Sequence, residues 1–275
     1  MSPAGHTPGA AEFAERFDVT SSDGTSIAVW VRGAGPALVL VHGSFLDHRR
    51  WDPIVAELFR SVTTFAMDRR GFGASGDAPE YHIEREFDDV AAVVDAVAAR
   101  SGGPVALWGH SFGASCAMGG AARSANVGRL ILYEPSLGLT YPPGTLDAVE
   151  LAVADGDPER AIVLILTNAL EMSDEEIAAM KAGPLWAARL ATAPTVAREG
   201  RAEEGWVWTP GQFATITAPT LMLVGSDSPP ALVRCTQLAA DAIANTRIHV
   251  LAGHGHLAHI THPAAIAALV REFIA

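Results

Sequence analysis

The chain has 275 residues, of which 49% are hydrophobic and 18% charged, a composition that builds a packed core and excludes a disordered chain. Its net charge of −12 and the lack of any dense Lys/Arg run argue against nucleic-acid binding. No basic segment followed by an apolar one opens the sequence, and no apolar run approaches membrane-span length, so a soluble, cytoplasmic protein without membrane association is expected. Cys116 and Cys235 lack metal or redox spacing and read as reduced packing residues.

Residues 1–15, with Gly5, Pro8 and Gly9, read as a flexible tail. Phe17–Thr20 and Thr25–Arg32 flank the turn signal Ser22-Asp23-Gly24 and predict an antiparallel hairpin. Ala37–His42 is a continuous apolar run, as in a strand covered on both faces. A helix over Arg50–Phe59 and a strand over Val62–Met67 follow. Within Ile83–Arg100, Phe87, Val90, Val93, Val94 and Val97 recur at helical spacing. The apolar run ending in Leu107-Trp108 predicts a fifth strand, then come a helix over Phe112–Ser124 and a strand over Arg129–Tyr133. From 136 to 213 the strand signals stop, and Asp147–Ala154, Pro158–Leu170 and Asp174–Met180 look helical. The alternation resumes at Thr220–Gly225, with a helix from Pro230, a strand at Arg247–Leu251 and a final helix over Pro263–Ala275. Strands alternating with helices imply parallel pairing through right-handed crossovers.

Five segments carry chemistry. Gly109-His110-Ser111-Phe112-Gly113 lies between a predicted strand and a predicted helix. His42-Gly43-Ser44-Phe45 ends the third strand, and Asp68-Arg69-Arg70-Gly71-Phe72-Gly73-Ala74-Ser75 ends the fourth. Ser226-Asp227 and Gly255-His256 end the last two. The pattern resembles the α/β-hydrolase superfamily, whose nucleophile elbow is Gly-x-Ser-x-Gly and whose acid and base follow the serine in the order Ser, Asp, His.

The resemblance implies a mostly parallel eight-stranded sheet built from 16–135 and 214–275, with a helical cap inserted at 136–213. It also implies Ser111 as nucleophile, His256 as base and Asp227 as the carboxylate that holds the imidazole. Glu134, in Leu132-Tyr133-Glu134-Pro135, is the alternative acid. The oxyanion donors would be the amides of Phe112 and Ser44, with Phe45 as a substitute donor or a substrate contact and His42 as a brace. A serine at the elbow argues against the aspartate-dependent dehalogenases and epoxide hydrolases of this fold. His254, His256, His259 and His262 crowd one loop, but no acidic or cysteine partner is interleaved, and neither a metal nor a cofactor is expected. Trp186, Trp206 and Trp208 in the cap are expected to line an apolar pocket. The implied activity is hydrolysis of a small, largely apolar ester or lactone through an acyl-enzyme. A C–C bond hydrolase or lyase on the same triad, or a silent ligand-binding protein, is the alternative.

Overall fold

The computed structural model describes residues 15–275 apart from residue 210, so most of the expected 1–15 tail lies outside the described residues. Eight strands form one sheet: β1 (Glu15–Thr20), β2 (Ser26–Gly33), β3 (Ala37–Val41), β4 (Thr63–Met67), β5 (Val105–His110), β6 (Val127–Tyr133), β7 (Thr220–Gly225) and β8 (Thr246–Leu251). Their order is β1-β2-β4-β3-β5-β6-β7-β8. β2 pairs antiparallel with β1 and β4, and every other pairing is parallel. The central strands β3, β5 and β7 are near-continuous apolar runs because helices cover both faces of the sheet.

One face is covered by α2 (Ile83–Ser101), α3 (Phe112–Ala121) and α9 (Pro230–Ala242), whose Phe87, Val90, Val94, Met118 and Ala239 share a core with Val39, Leu107 and Met222 of the strands. Residues of α3 are buried all round, which is why its sequence carries Ala, Gly and Met but no charge. The other face carries α1 (Asp52–Leu58) and α11 (Pro263–Ile274), whose Ile54, Leu58, Ile266 and Val270 pack with Trp51 and Trp108. Between them lies the short α10 (Ala258–Thr261). The helix expected over Arg50–Phe59 is divided. His48–Trp51 forms a 3₁₀ turn capped by Asp47, and α1 begins at Asp52 with a proline in its first turn.

Between β6 and β7 run five helices: α4 (Thr145–Ala154), α5 (Pro158–Asn168), α6 (Asp174–Ala182), α7 (Trp186–Leu190) and α8 (Ala193–Glu204). They build an apolar cluster of their own around Leu146, Val149, Ile162, Ile165 and Val196, which reaches the sheet through Phe45. The sequence predicts the first three and misses α7 and α8. Pro194 starts α8 rather than ending a helix, and Gly200 sits inside it because a Cβ there would run into Leu146 of α4. Among the described residues no helix is long and apolar enough to cross a membrane.

Candidate active site

The site is built from strand ends on one edge of the sheet. β5 stops at His110, and the chain turns into α3 at Ser111, whose φ of 56° and ψ of −130° lie in a region that L-residues rarely occupy. The turn is this tight because two glycines allow it. A Cβ at Gly109 would meet the backbone of Gly113 and Ala114, and one at Gly113 would meet the carbonyls of Val41 and His42. The Ser111 N–H donates to the Tyr133 carbonyl at 2.9 Å, tying the turn to β6. The half-buried Ser111 side chain faces a cavity of about 720 Å³.

His256 lines the same cavity. Its Nδ1 lies 2.5 Å from Oε2 of Glu134, a fully buried carboxylate. The other oxygen of Glu134 accepts from the Gly225 N–H at 2.7 Å and the Ser228 hydroxyl at 2.5 Å. With Nδ1 donating to the carboxylate, Nε2 is left as the basic nitrogen of the neutral ring. The loop that carries it is pinned from below. The Tyr133 hydroxyl donates to the Gly255 carbonyl, and Nε2 of His110 donates to the His256 carbonyl at 2.9 Å.

Asp227, the first choice of acid from the sequence, makes no hydrogen bond to His256 among the described residues; Glu134 does. The Asp227 side chain is exposed and accepts only from the neighbouring Ser226 hydroxyl, at 2.8 Å, while its own N–H donates to the His254 carbonyl. The turn after β7 sends the Gly225 N–H and the Ser228 hydroxyl to Glu134 and leaves Asp227 exposed on the cavity wall. Glu134, starting from β6 with one more methylene, reaches over the end of β7 to the histidine. It too has positive φ, as do Phe45 and Glu171. Every non-glycine residue of that kind among the described ones either lines the cavity or holds His256, in keeping with strain gathering at functional positions.

The loop after β3 brings Ser44 and Phe45 to the cavity wall beside Ser111. Phe112 opens α3, so its N–H has no partner within the helix and faces the elbow. His42 is fully buried, donating from Nδ1 to the Gly43 carbonyl at 2.7 Å and accepting at Nε2 from the Arg69 N–H at 3.0 Å. Burial and the Arg69 charge lower its pKa to about 3, so it stays neutral and braces the loop. Arg69 in turn donates to the His42 carbonyl at 2.9 Å and pairs with Glu86 of α2 and Glu199 of α8. That ion triad fastens the helical insertion to the loop under the nucleophile.

The cavity wall is mainly apolar, with Phe45, Leu139, Ile165, Met172, Met180 and Val196 among its residues. Trp186, Trp206 and Trp208 are not part of it. Trp206 packs edge-on against Phe87 and Trp208 against Phe213, closing the seam where the chain leaves α8 for the core. Trp186 packs against the insertion's apolar cluster, outside the cavity lining, with its indole N–H donating to Glu159 at 3.3 Å. Among the polar wall residues that escaped the sequence are Arg50, Arg189, Glu199 and Glu203. Glu203 accepts from the hydroxyls of Ser136 and Tyr141, and burial raises its pKa to about 8. The i,i+4 spacing of Glu199 and Glu203 would have flagged one helix face had 193–204 been read as a helix. Nothing local marks the arginines.

The crowded histidines go separate ways. His259 is fully buried, its ring 4.1 Å from that of His110, and burial holds its pKa well below the usual range. His254 lies tilted against His262, with ring centroids 4.2 Å apart. The one group among the described residues with metal-ligand spacing is Asp47, His48 and Asp68. Its carboxylates are engaged by Arg49 and by Trp30, Ala74 and the His48 backbone, an arrangement that ties the β3 and β4 loops together.

Comparison with known proteins agrees with this geometry. The profile described as "Alpha/beta hydrolase family" matches residues 38–269. A solved α/β hydrolase from Sphaerobacter thermophilus DSM 20745 superposes with a TM-score of 0.81 at 33% identity, covering 94% of this chain and all (100%) of that one. The esterase RhEst1 from Rhodococcus sp. ECU1013 is 27% identical, with a TM-score of 0.74 over 94% of this chain and 98% of its own. The 2-hydroxymuconate semialdehyde hydrolase of Pseudomonas sp. (strain CF600) is 26% identical over 253 residues, 88% of each chain.

Proposed function

The chain belongs to the alpha/beta hydrolase family, and on that footing we propose that it is a cofactor-independent serine hydrolase of a small carboxylic ester or lactone. The observation that carries the reading is the pairing of two features at one cavity. Ser111 stands on a strained strand-to-helix turn, and His256 has Nδ1 fixed by a buried carboxylate. A serine hydroxyl needs a base to become a nucleophile, and a neutral imidazole fixed in this tautomer is one.

In this scheme His256 Nε2 takes the Ser111 proton as Oγ attacks the substrate carbonyl. Glu134 stabilises the imidazolium that results. The N–H groups of Phe112 and Ser44 receive the negative charge that develops on the carbonyl oxygen. His256 then returns the proton to the leaving alcohol, and water attacks the acyl-Ser111 ester by the same route in reverse. Among the described residues no hydrogen bond joins Ser111 to His256, and such contacts commonly tighten only when substrate binds.

An esterase and a C–C bond hydrolase both stand among the similar proteins, and the same serine and histidine suit either reaction. The mainly apolar wall supports the ester or lactone reading, because it suits an acyl chain. The test is stopped-flow with a 4-nitrophenyl ester: a burst of one nitrophenolate per chain is expected, followed by slower turnover, and Ser111→Ala should lack the burst. Linear release without a burst, unaffected by Ser111→Ala, would overturn the scheme.

A further inference from the structure

The structure buries four arginines among its described residues: Arg50, Arg69, Arg70 and Arg189. Two of them are neutralised within the chain. Arg69 pairs with Glu86 and Glu199, and Arg70 with Asp89 and Asp23. The other two line the cavity that holds Ser111 and His256, and neither has a carboxylate partner among the described residues. Arg50 spends one N–H on the Ser44 carbonyl, at 3.1 Å, which leaves Nε and Nη1 buried with nothing to donate to. Arg189 comes from the insertion, on α7, and among the described residues its side chain makes no hydrogen bond or ion pair.

A buried guanidinium without an anion is costly, and two that feel each other are more so. Both line one cavity, and burial together with the Arg189 charge lowers the pKa of Arg50 to about 9, against a smaller opposing pull from Asp47. The carboxylates on the same wall are spoken for or exposed. Glu199 serves Arg69, Glu203 serves Ser136 and Tyr141, Glu176 caps its own helix, and Asp227 and Glu171 stand exposed. The missing counter-charge has to come from the cavity.

We propose that Arg50 and Arg189 form a carboxylate subsite, so that the ester or lactone this enzyme takes carries a second, free carboxylate. Two guanidinium forks, one from the core and one from the insertion, suit the planar geometry of a carboxylate. Arg50 is tied to the Ser44 carbonyl, and its charge also bears on His110, the neighbour of Ser111. The subsite therefore adjoins the elbow, and the free carboxylate sits near the bond to be cut. The apolar wall takes the remainder of the molecule. The ester part of this inference rests on the serine-hydrolase reading, while the anion-binding part does not.

The experiment compares methyl hydrogen glutarate with methyl valerate, acyl chains of matched length with and without the charge, by pH-stat. The wild-type chain is set beside Arg189→Met and Arg50→Lys, with folding checked by thermal melting. The expected result is a kcat/KM preference for the anionic ester in wild type. Losing one charge-assisted fork should cut that preference by about tenfold to a hundredfold in Arg189→Met, chiefly through KM. Arg50→Lys, which keeps the charge but loses the fork, should retain part of it. A wild-type preference for the neutral ester, or a preference unmoved in both variants, would overturn the subsite.

Calorimetry of glutarate binding to Ser111→Ala, with inorganic phosphate in parallel, separates the two readings. Glutarate binding that Arg189→Met abolishes, in a wild-type chain that cleaves neither ester, would sink the hydrolase reading and leave the subsite standing. Cleavage of both esters without preference, together with no glutarate binding, would do the reverse. Phosphate binding as tight as glutarate, with no ester preference, would also count against the subsite.

Discussion

At the scale of the residue, the arrangement turns on which carboxylate meets His256. Glu134 is fully buried and spends one oxygen on Gly225 and Ser228 and the other on the imidazole. Asp227 is exposed, and its carboxylate accepts only from Ser226. Glu134→Gln should therefore lower kcat for any ester substrate by about a thousandfold or more, since an amide can settle the ring in the wrong tautomer. Asp227→Asn should change it by no more than a few-fold. Steady-state kinetics of the pair decides the matter, and a larger loss in Asp227→Asn would reverse the assignment. The motif had named the serine and the histidine, whose surroundings are local in sequence. The acid was ambiguous because its identity depends on a contact across 122 residues of chain.

Glu203 adds a second expectation at this scale. Burial raises it from an ordinary 4.5 to about 8, against the opposing hydrogen bonds from Ser136 and Tyr141. The folded chain thus keeps a proton between those two pH values that the unfolded chain has lost. Stability should then fall as pH rises across that window, by up to about 1.4 kcal/mol per pH unit. Glu203→Gln keeps most of the shape and cannot titrate. Denaturant melts of the two proteins from pH 5 to pH 8 should show the slope reduced in the variant. A pH-independent difference between them would contradict it.

At the scale of the element, the helices between β6 and β7 divide into wall and wedge. Ile165 of α5, Met172 in the connection before α6 and Met180 of α6 face the cavity, whereas Trp206 wedges against Phe87 of α2. Trp206→Ala should thus cost about 2–3 kcal/mol of stability, as removal of a large packed side chain does, and leave acyl preference nearly flat. Met172→Ala should do the opposite, shifting the preferred acyl length across an ester series while the melting temperature moves little. A strong change of preference in Trp206→Ala would show that the seam and the pocket are coupled. Sequence alone could say that three tryptophans fall in this stretch but not which surface each one faces. The same limit hid α8, which holds a proline in its first turn and a glycine that makes room for Leu146 of α4.

At the scale of the whole molecule, one principle arranges everything: strands end together, and chemistry collects where they end. Parallel pairing and the antiparallel first hairpin are legible as apolar runs alternating with helices, the eight-stranded sheet is what the family resemblance implies, and the strand order is visible only in the structure. The helical insertion roofs those strand ends and is fastened by the Arg69 triad of Glu86 and Glu199. It also brings Arg189 from α7 into the cavity that Arg50 lines from the core, a meeting that no local pattern announces. The central claim is that Ser111 is the nucleophile. It is tested most directly by treating the chain with a fluorophosphonate and mapping the adduct by peptide mass spectrometry. A single adduct on Ser111, absent from Ser111→Ala and slowed in Glu134→Gln, is the expected result; an unlabelled chain, or an adduct on another residue, would contradict it.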